Sequence, residues 1–446
     1  MNLSLEGWSS LENSIPNNYI SRDIEDFFIK EIQLDGIDLI VGARQVGKST
    51  LIANLILKYL KGVVDQRAIN IFNFDYLEDK NLCEDTNSII KYIRDFSPEG
   101  RVFLFIDEVQ RSNNAGLLLK KIYDRDRQIK IIATGSSVIG IRESLSSNLA
   151  GRAIETVLYP LSFSEILKAK SVLPISFIKP LNISDYFDLY DLHKGPLIES
   201  FNDFIRWGGY PKLFLENIIN RRINILKSIV EAYINRDIIT FIGSERINKY
   251  NDAIKLIAKM VGNLFNISEQ ANCLSVRLWT MEHYIKLFKD SFVGFSLSPY
   301  FKKNIEGEFK KRHKHYFYDI GIRKFLLYNN PSFSLIDGQL FENVVVSEVF
   351  KALSNDCKLY YWRSRGGSEM DIVIEFGENL YGIEVKMTSK GRLTVSNKNF
   401  IKVYNPKKVF IIDMTSRPYK TEYNKTEIYY MPAFLFLLDI KNLILS

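Results

Sequence analysis

Gly42-Ala43-Arg44-Gln45-Val46-Gly47-Lys48-Ser49, followed by Thr50, has the spacing GxxxxGK[ST] that cradles a polyphosphate. The glycines let successive backbone N–H groups curl round phosphate oxygens, and a following helix adds positive potential at its N-terminus. Lys48 would reach the β and γ phosphates as a point charge, while the Ser49 hydroxyl would ligate Mg²⁺. Gly42 to Thr50 are therefore the expected nucleotide contacts. Hydrolysis also needs carboxylates beside the loop. The apolar run Val102 to Ile106 delivers Asp107, to hold the magnesium through its water shell, and Glu108, to polarise the attacking water. Thr134 and Ser136 end the next apolar run, where either could hydrogen-bond the γ-phosphate or that water. Arg152 is a candidate arginine finger for a neighbouring subunit's nucleotide, or equally an arginine paired with a local acid. Magnesium-dependent ATP hydrolysis is the chemistry these residues can do together.

A second set of charged residues lies nearer the C-terminus. Glu384 and Lys386 are two apart, so on a strand they share a face, and Asp371 stands a hairpin's length earlier. An ExK pair on a strand is also ordinary surface chemistry. Between the two sets, Asn266 to Ala271 reads as the first helix of a helix-turn-helix with Ser268 as its N-cap. Leu278 to Phe288 would be the recognition helix and Phe292 to Pro299 the wing, with Arg277, Lys286 and Lys289 placed to meet phosphates; such units also serve as plain connectors. Arg363, Arg365 and the basic run Lys310 to His315 are further candidate phosphate contacts, a solvated face being the default for the run.

The elements that must position these groups are legible in the periodicity. Ile37 to Val41, Ile69 to Phe74, Val102 to Ile106 and Lys130 to Ala133 are apolar runs of strand length, with amphipathic stretches such as Ser49 to Leu60 between them. That alternation predicts a doubly wound α/β domain closing near Tyr159-Pro160-Leu161. The pattern turns helical from Phe163 to about Glu245, broken at Trp207-Gly208-Gly209-Tyr210-Pro211. The last section mixes a helix around Leu340 to Ala352 with strands at Leu359–Trp362, Met370–Phe376, Tyr381–Val385 and Val409–Ile412.

With 46% hydrophobic and 25% charged residues the chain has the balance of a folded rather than a disordered protein, and 446 residues are enough for about three domains. Cys83, Cys273 and Cys357 are far apart and odd in number, which excludes a disulfide framework or a CxxC zinc site. The first residues lack a signal-peptide pattern, and the apolar stretch Met431 to Leu438 is about half a bilayer span. A cytoplasmic protein without membrane contact is expected. Net charge of +7 fits an acidic partner.

RQVGKSTL, FNFD, FLFIDEVQR, IIATGSS, LAGR and YPLSFSEI follow one another in this order. They continue into GGYP at Gly208 to Pro211, YINRDI at Tyr233 to Ile238, YFYDIGIR at Tyr316 to Arg323 and LFENVVVSE at Leu340 to Glu348. YYWRSRGGSEMDIVIE and IEVK complete the series. Over nearly its whole length the chain thus resembles prokaryotic AAA-type ATPases of the archaeal ATPase group. Ala43 departs from the proline common there, at a position whose side chain touches no phosphate.

The resemblance implies an α/β fold in four parts: a P-loop AAA-type ATPase domain at 1–165, a helical lid at 166–245, a winged helix-turn-helix at 246–300 and a restriction-endonuclease-like α/β domain at 301–446. The D…ExK set of Asp371, Glu384 and Lys386 resembles restriction endonucleases and archaeal Holliday-junction resolvases. By that likeness Asp371 and Glu384 are metal ligands, Lys386 activates water, and Glu342 takes the place of an extra acid. ATP and Mg²⁺ are the implied cofactors. DNA, branched or junction DNA included, is the implied partner, and self-association is a further expectation. Three readings stay open: an ATPase that binds DNA with a metal-dependent nuclease centre, a regulatory ATPase switch with an inactive nuclease-like docking domain, or an oligomeric motor on branched DNA.

Overall fold

The computed structural model describes residues 3–136, 149, 151–173, 182–233, 238–301, 312–329, 336–389 and 391–446. Ser137, Ala150, Ile234 to Asp237, Lys310 and Lys311, which fall in the motifs above, lie outside the described residues. The described chain divides into two compact units, Met1–Tyr159 with Asp290–Phe292, and Pro160–Lys289 with Val293–Ser446. No described helix is long and apolar enough to cross a membrane.

The first unit is built on a parallel sheet of β1 (Ile37–Val41), β2 (Ile69–Asn73), β3 (Val102–Asp107), β4 (Ile129–Gly135) and β5 (Ala153–Val157) in the order β2-β3-β4-β1-β5. Helices cover the faces, so the central strands are buried throughout; β1 and β4 show no exposed residue. One charge pair interrupts the apolar runs. Asp38 on β1 and Lys130 on β4 are both 2% exposed and meet at 3.0 Å, each removing the need to bury the other unpaired. The edge strand β5 was not foreseen: IETV is short, and outer residues Ile154 and Glu155 are exposed.

The second unit joins helices to an eight-stranded sheet. Its strands are β6 (Gly294–Pro299), β7 (Lys314–Phe317), β8 (Lys358–Arg363), β9 (Glu369–Phe376), β10 (Asn379–Val385), β11 (Lys408–Asp413), β12 (Tyr419–Tyr423) and β13 (Thr426–Pro432), in the order β12-β13-β11-β10-β9-β8-β6-β7. Trp362, Met370, Phe400, Val409 and Tyr430 belong to its core. The expected wing is not a free hairpin. β6 pairs antiparallel with β7 and also runs parallel to β8 at Ser298–Tyr360 and Pro299–Tyr361, so it is an inner strand of this sheet. The two helices before it are present as Ile267–Cys273 and Leu278–Asp290. Asn266, not Ser268, occupies the first N-cap, and Ser268 falls inside the first turn.

Two of the motifs explain each other. Ser162 and Glu165 form a reciprocal capping box that starts the helix Phe163–Lys170. Just before it, Leu161 N–H donates to Gly209 O at 2.7 Å. Gly209 N–H in turn donates to Asp319 Oδ2 at 2.7 Å, while Asp319 Oδ1 caps the helix Ile320–Tyr328 through Ile322 N at 3.1 Å. GGYP and YDIGIR are therefore one buried joint. A Cβ on Gly209 would come 2.1 Å from Leu161 O, a backbone atom that cannot step aside. Gly209→Ala should lower unfolding stability by at least about 2 kcal/mol in a urea titration. Gly195→Ala, where a Cβ meets open space inside the helix Ile183–Trp207, should raise it by about 0.5–1 kcal/mol. Equal effects at the two positions would refute the joint.

Candidate functional site

Because the first sheet is parallel, the loops that leave β1, β3 and β4 all emerge at one edge, and these three strands are neighbours. Gly42 follows β1, and a Cβ there would strike Leu158 O at 2.2 Å. Gln45 and Gly47 have φ of 63° and 99°, which turns the loop back over the start of the helix Lys48–Leu55. Lys48 is buried and its Nζ donates to Gly42 O at 2.9 Å and Ala43 O at 3.0 Å, so the ammonium lies inside the cradle that the loop forms. Ala43, Arg44, Val46 and Thr50 complete the loop, Val46 buried beneath it.

Ser49 Oγ donates to Asp107 Oδ2 at 2.6 Å, bringing the loop hydroxyl and the β3 carboxylate to one point. Thr134 is fully buried, and its hydroxyl is committed to Asp107 Oδ1 while it accepts from Glu108 N at 3.2 Å. Both of these hydrogen bonds are made to the acidic pair at the end of β3. Ser136, 2% exposed, donates to Glu108 Oε2 at 3.0 Å. Gln110, which sequence reasoning passed over, bridges the two, donating to Glu108 Oε2 and to Ser136 Oγ at 2.8 Å. Its position two residues after Glu108 was the available signal. Glu108 itself has φ of 55°, a left-handed backbone that turns its side chain out of the strand direction. The pairing of a hydroxyl with an acid at the mouth of a phosphate cradle fits a nucleotide-bound Mg²⁺, which would be held by Ser49 and Asp107.

Arg152 is at the opposite edge. It precedes β5, whose Ala153 registers with Ile37 at the start of β1, so about five residues of strand separate it from its own phosphate loop. Its Nε pairs with Asp124 Oδ1 at 2.9 Å.

The C-terminal acids do converge. β9 and β10 form a hairpin in which Ile372 faces Ile383, setting Asp371 beside Glu384, and Asp371 Oδ2 accepts from Val385 N at 2.8 Å. Lys386 Nζ lies 2.5 Å from Glu384 Oε1, while Glu384 Oε2 is buried with no partner. Glu342, on the helix Gly338–Leu353, accepts from the Tyr316 hydroxyl at 2.7 Å. Burial, with the charges of Glu342 and Glu384, holds the Asp371 carboxyl well above the usual carboxylate range.

The basic run supplies the missing cation, and here the expectation fails. Lys314 does not face solvent or nucleic acid: it is 1% exposed in β7, His315 is 2% exposed beside it, and only Arg312 of the described residues of the run is exposed. Lys314 Nζ lies 3.6 Å from Glu342 Oε1 and 3.8 Å from Asp371 Oδ1, and it contacts Glu369. Burial alone would pull this ammonium down; Glu342, Asp371 and Glu369 outweigh it and hold its pKa above the ordinary lysine value. Among the described residues no group of three His, Cys, Asp or Glu side chains is arranged to hold a metal ion. An ammonium stands among Glu342, Glu369 and Asp371 instead. Period-two alternation in KHYF, which sets Lys314 and Tyr316 on one face, was the signal that could have found it.

On the helix Leu278–Asp290, Met281, Tyr284, Ile285, Leu287 and Phe288 are buried, and Leu278, Trp279, Glu282, Lys286 and Lys289 are exposed, as is Arg277 just before it. Arg365 is exposed too, and Arg363 lies 3.6 Å from Glu369.

Residues 35–167 match the model of an AAA domain, and residues 198–332 and 337–434 match two domains of unknown function, DUF8612 and DUF4143. Two uncharacterised proteins of Methanocaldococcus jannaschii are each 26% identical, one over 84% of this chain and 79% of its own length, the other over 92% and 87%. An uncharacterised protein of Haemophilus influenzae is 26% identical over 65% of this chain and 69% of its own. Among solved structures, a Walker-type ATPase of Pyrococcus abyssi is similar over 70% of this chain and 97% of that one, at 16% identity and TM-score 0.43. The ORC1 protein of Aeropyrum pernix, solved in complex with DNA, is similar over 70% and 94%, at 12% identity and TM-score 0.31.

Proposed function

We propose that the chain is a magnesium-dependent ATPase whose C-terminal half docks DNA without cutting it. The AAA-type P-loop domain at 35–167 carries the first part. The single observation behind it is the convergence of Ser49, Asp107, Glu108, Thr134, Ser136 and Gln110 at the edge of the sheet where the phosphate loop lies. When bound there, Mg²⁺ offsets charge on the β and γ phosphates. Lys48 binds the same oxygens, and Glu108 takes the proton of the attacking water while Ser136 and Gln110 hold its carboxylate in place.

For the C-terminal half, Trp279, Lys286 and Lys289, with the acid Glu282 among them, are exposed on one face of a helix that follows a shorter helix, as in a helix-turn-helix, and precedes β6; Arg277 is exposed just before that helix. Cationic and aromatic groups on such a face suit a nucleic-acid backbone and its bases. The position of Lys314 favours docking over the metal-dependent nuclease reading, because a divalent ion at Glu342 and Asp371 would have to displace or repel this ammonium. A panel of linear, flapped and four-way DNA decides it, each with Mg²⁺ or Mn²⁺, with and without ATP, at two salt concentrations. Binding that weakens in Arg277→Ala with Lys289→Ala, and leaves every substrate intact, is the expected result. Cutting that disappears in Asp371→Ala with Glu384→Ala would restore the nuclease, and binding unchanged by the helix variants would remove the docking face.

A further inference from the structure

The helical part of the second unit carries an open cleft of about 890 Å³, within the range of small-molecule sites. Among the described residues that line it, six are charged: Lys170, Arg206, Arg222 and Lys324 against Glu199 and Asp203. Asp203 is already shared, 3.3 Å from Lys170 Nζ and 3.0 Å from Arg222 Nη1, and Glu199 is exposed. Arg222 also donates to Glu216 O and lies over the Trp207 ring.

That leaves Arg206 and Lys324. Lys324, on the helix Ile320–Tyr328, is 1% exposed and makes no side-chain hydrogen bond or ion pair with the described residues, and the charge that acts on it is that of Arg206, another cation. Burial and that like charge pull its ammonium down to about 8. The other lysines buried to this degree among the described residues are all partnered: Lys48 by loop carbonyls, Lys130 by Asp38, Lys314 by three acids and Lys408 by carbonyls near the C-terminus. A desolvated ammonium facing a guanidinium costs stability unless an anion joins them.

We propose that this cleft binds a small phosphomonoester, with Lys324 and Arg206 as its two cationic anchors. Two unpaired cations match the two charges of one phosphate group, and a guanidinium presents its donors in the fork that phosphate oxygens accept. Glu199 and Asp203 on the same walls disfavour a longer polyphosphate, which separates this site from the phosphate loop in chemistry as well as in place.

The test uses the full chain carrying Lys48→Ala, so that the phosphate loop is weakened as a competitor, with inorganic phosphate and AMP as probes in calorimetry and thermal unfolding. Saturable binding is expected, tighter for AMP if the ester carries recognition and equal for both if the phosphate alone does. Arg206→Gln and Lys324→Met should each weaken it about tenfold or more. Lys324→Met should also raise the melting temperature without ligand, since it removes an unpaired buried charge and keeps the stem. Absence of saturable binding by both probes, binding equally tight in both variants, or a fall in melting temperature for Lys324→Met would overturn the site.

Discussion

Glu108→Gln should slow ATP turnover by about 10²–10⁴-fold while ATP still binds. The amide keeps the size of the side chain and an oxygen that can accept from Ser136 and Gln110, so the left-handed backbone and its surroundings are retained. What it loses is the basicity needed to take a proton from water. Lys48→Ala should remove binding and turnover together, because the ammonium contributes charge to the phosphates in the ground state as well as the transition state. The split between the two variants, read by nucleotide binding and phosphate release on the same preparations, separates a hydrolytic site from a site that only binds. Undiminished turnover in both would end the ATPase reading.

Lys314→Met should lower unfolding stability by about 3–5 kcal/mol, measured by chemical denaturation. The ammonium is 1% exposed and faces Glu342, Glu369 and Asp371; removing it leaves carboxylates in a low-dielectric site without their counter-charge. Lys386→Met is the internal comparison. Its ammonium pairs with one carboxylate, Glu384, which is 7% exposed, but the Lys386 side chain is 36% exposed, so water can take its place and a smaller cost of about 1–2 kcal/mol is expected. Similar losses at the two positions would mean that Lys314 is not the charge that holds the acids together.

The first site was almost wholly legible in the chain. The phosphate loop, Asp107 and Glu108 are contiguous motifs at strand ends, and a parallel α/β alternation leaves one edge at which strand-end groups can meet. What was not legible was the division of labour among the hydroxyls. Spacing placed Thr134 and Ser136 where either could meet phosphate or water, but did not show that their hydroxyls would also contact Asp107 and Glu108, as Thr134 does from the end of β4 beside β3. Strand order decides that, and local spacing does not carry strand order.

The second unit shows the opposite balance. Asp371, Glu384 and Lys386 follow from a hairpin register that local spacing sets. Lys314 and Lys324 do not. In sequence one belongs to a block of basic residues and the other directly follows the YFYDIGIR motif, and a lysine in either place is expected in solvent. Folding buries both, one among three acids and one beside an arginine. Residue types and spacing along the chain thus determined which groups are the candidates for binding and hydrolysing a nucleotide, since those groups lie within a few residues of one another or at the ends of recognisable strands. Which charges are neutralised and which are left open was decided by the tertiary structure alone, because electrostatic pairing depends on distance and burial between segments far apart in the chain.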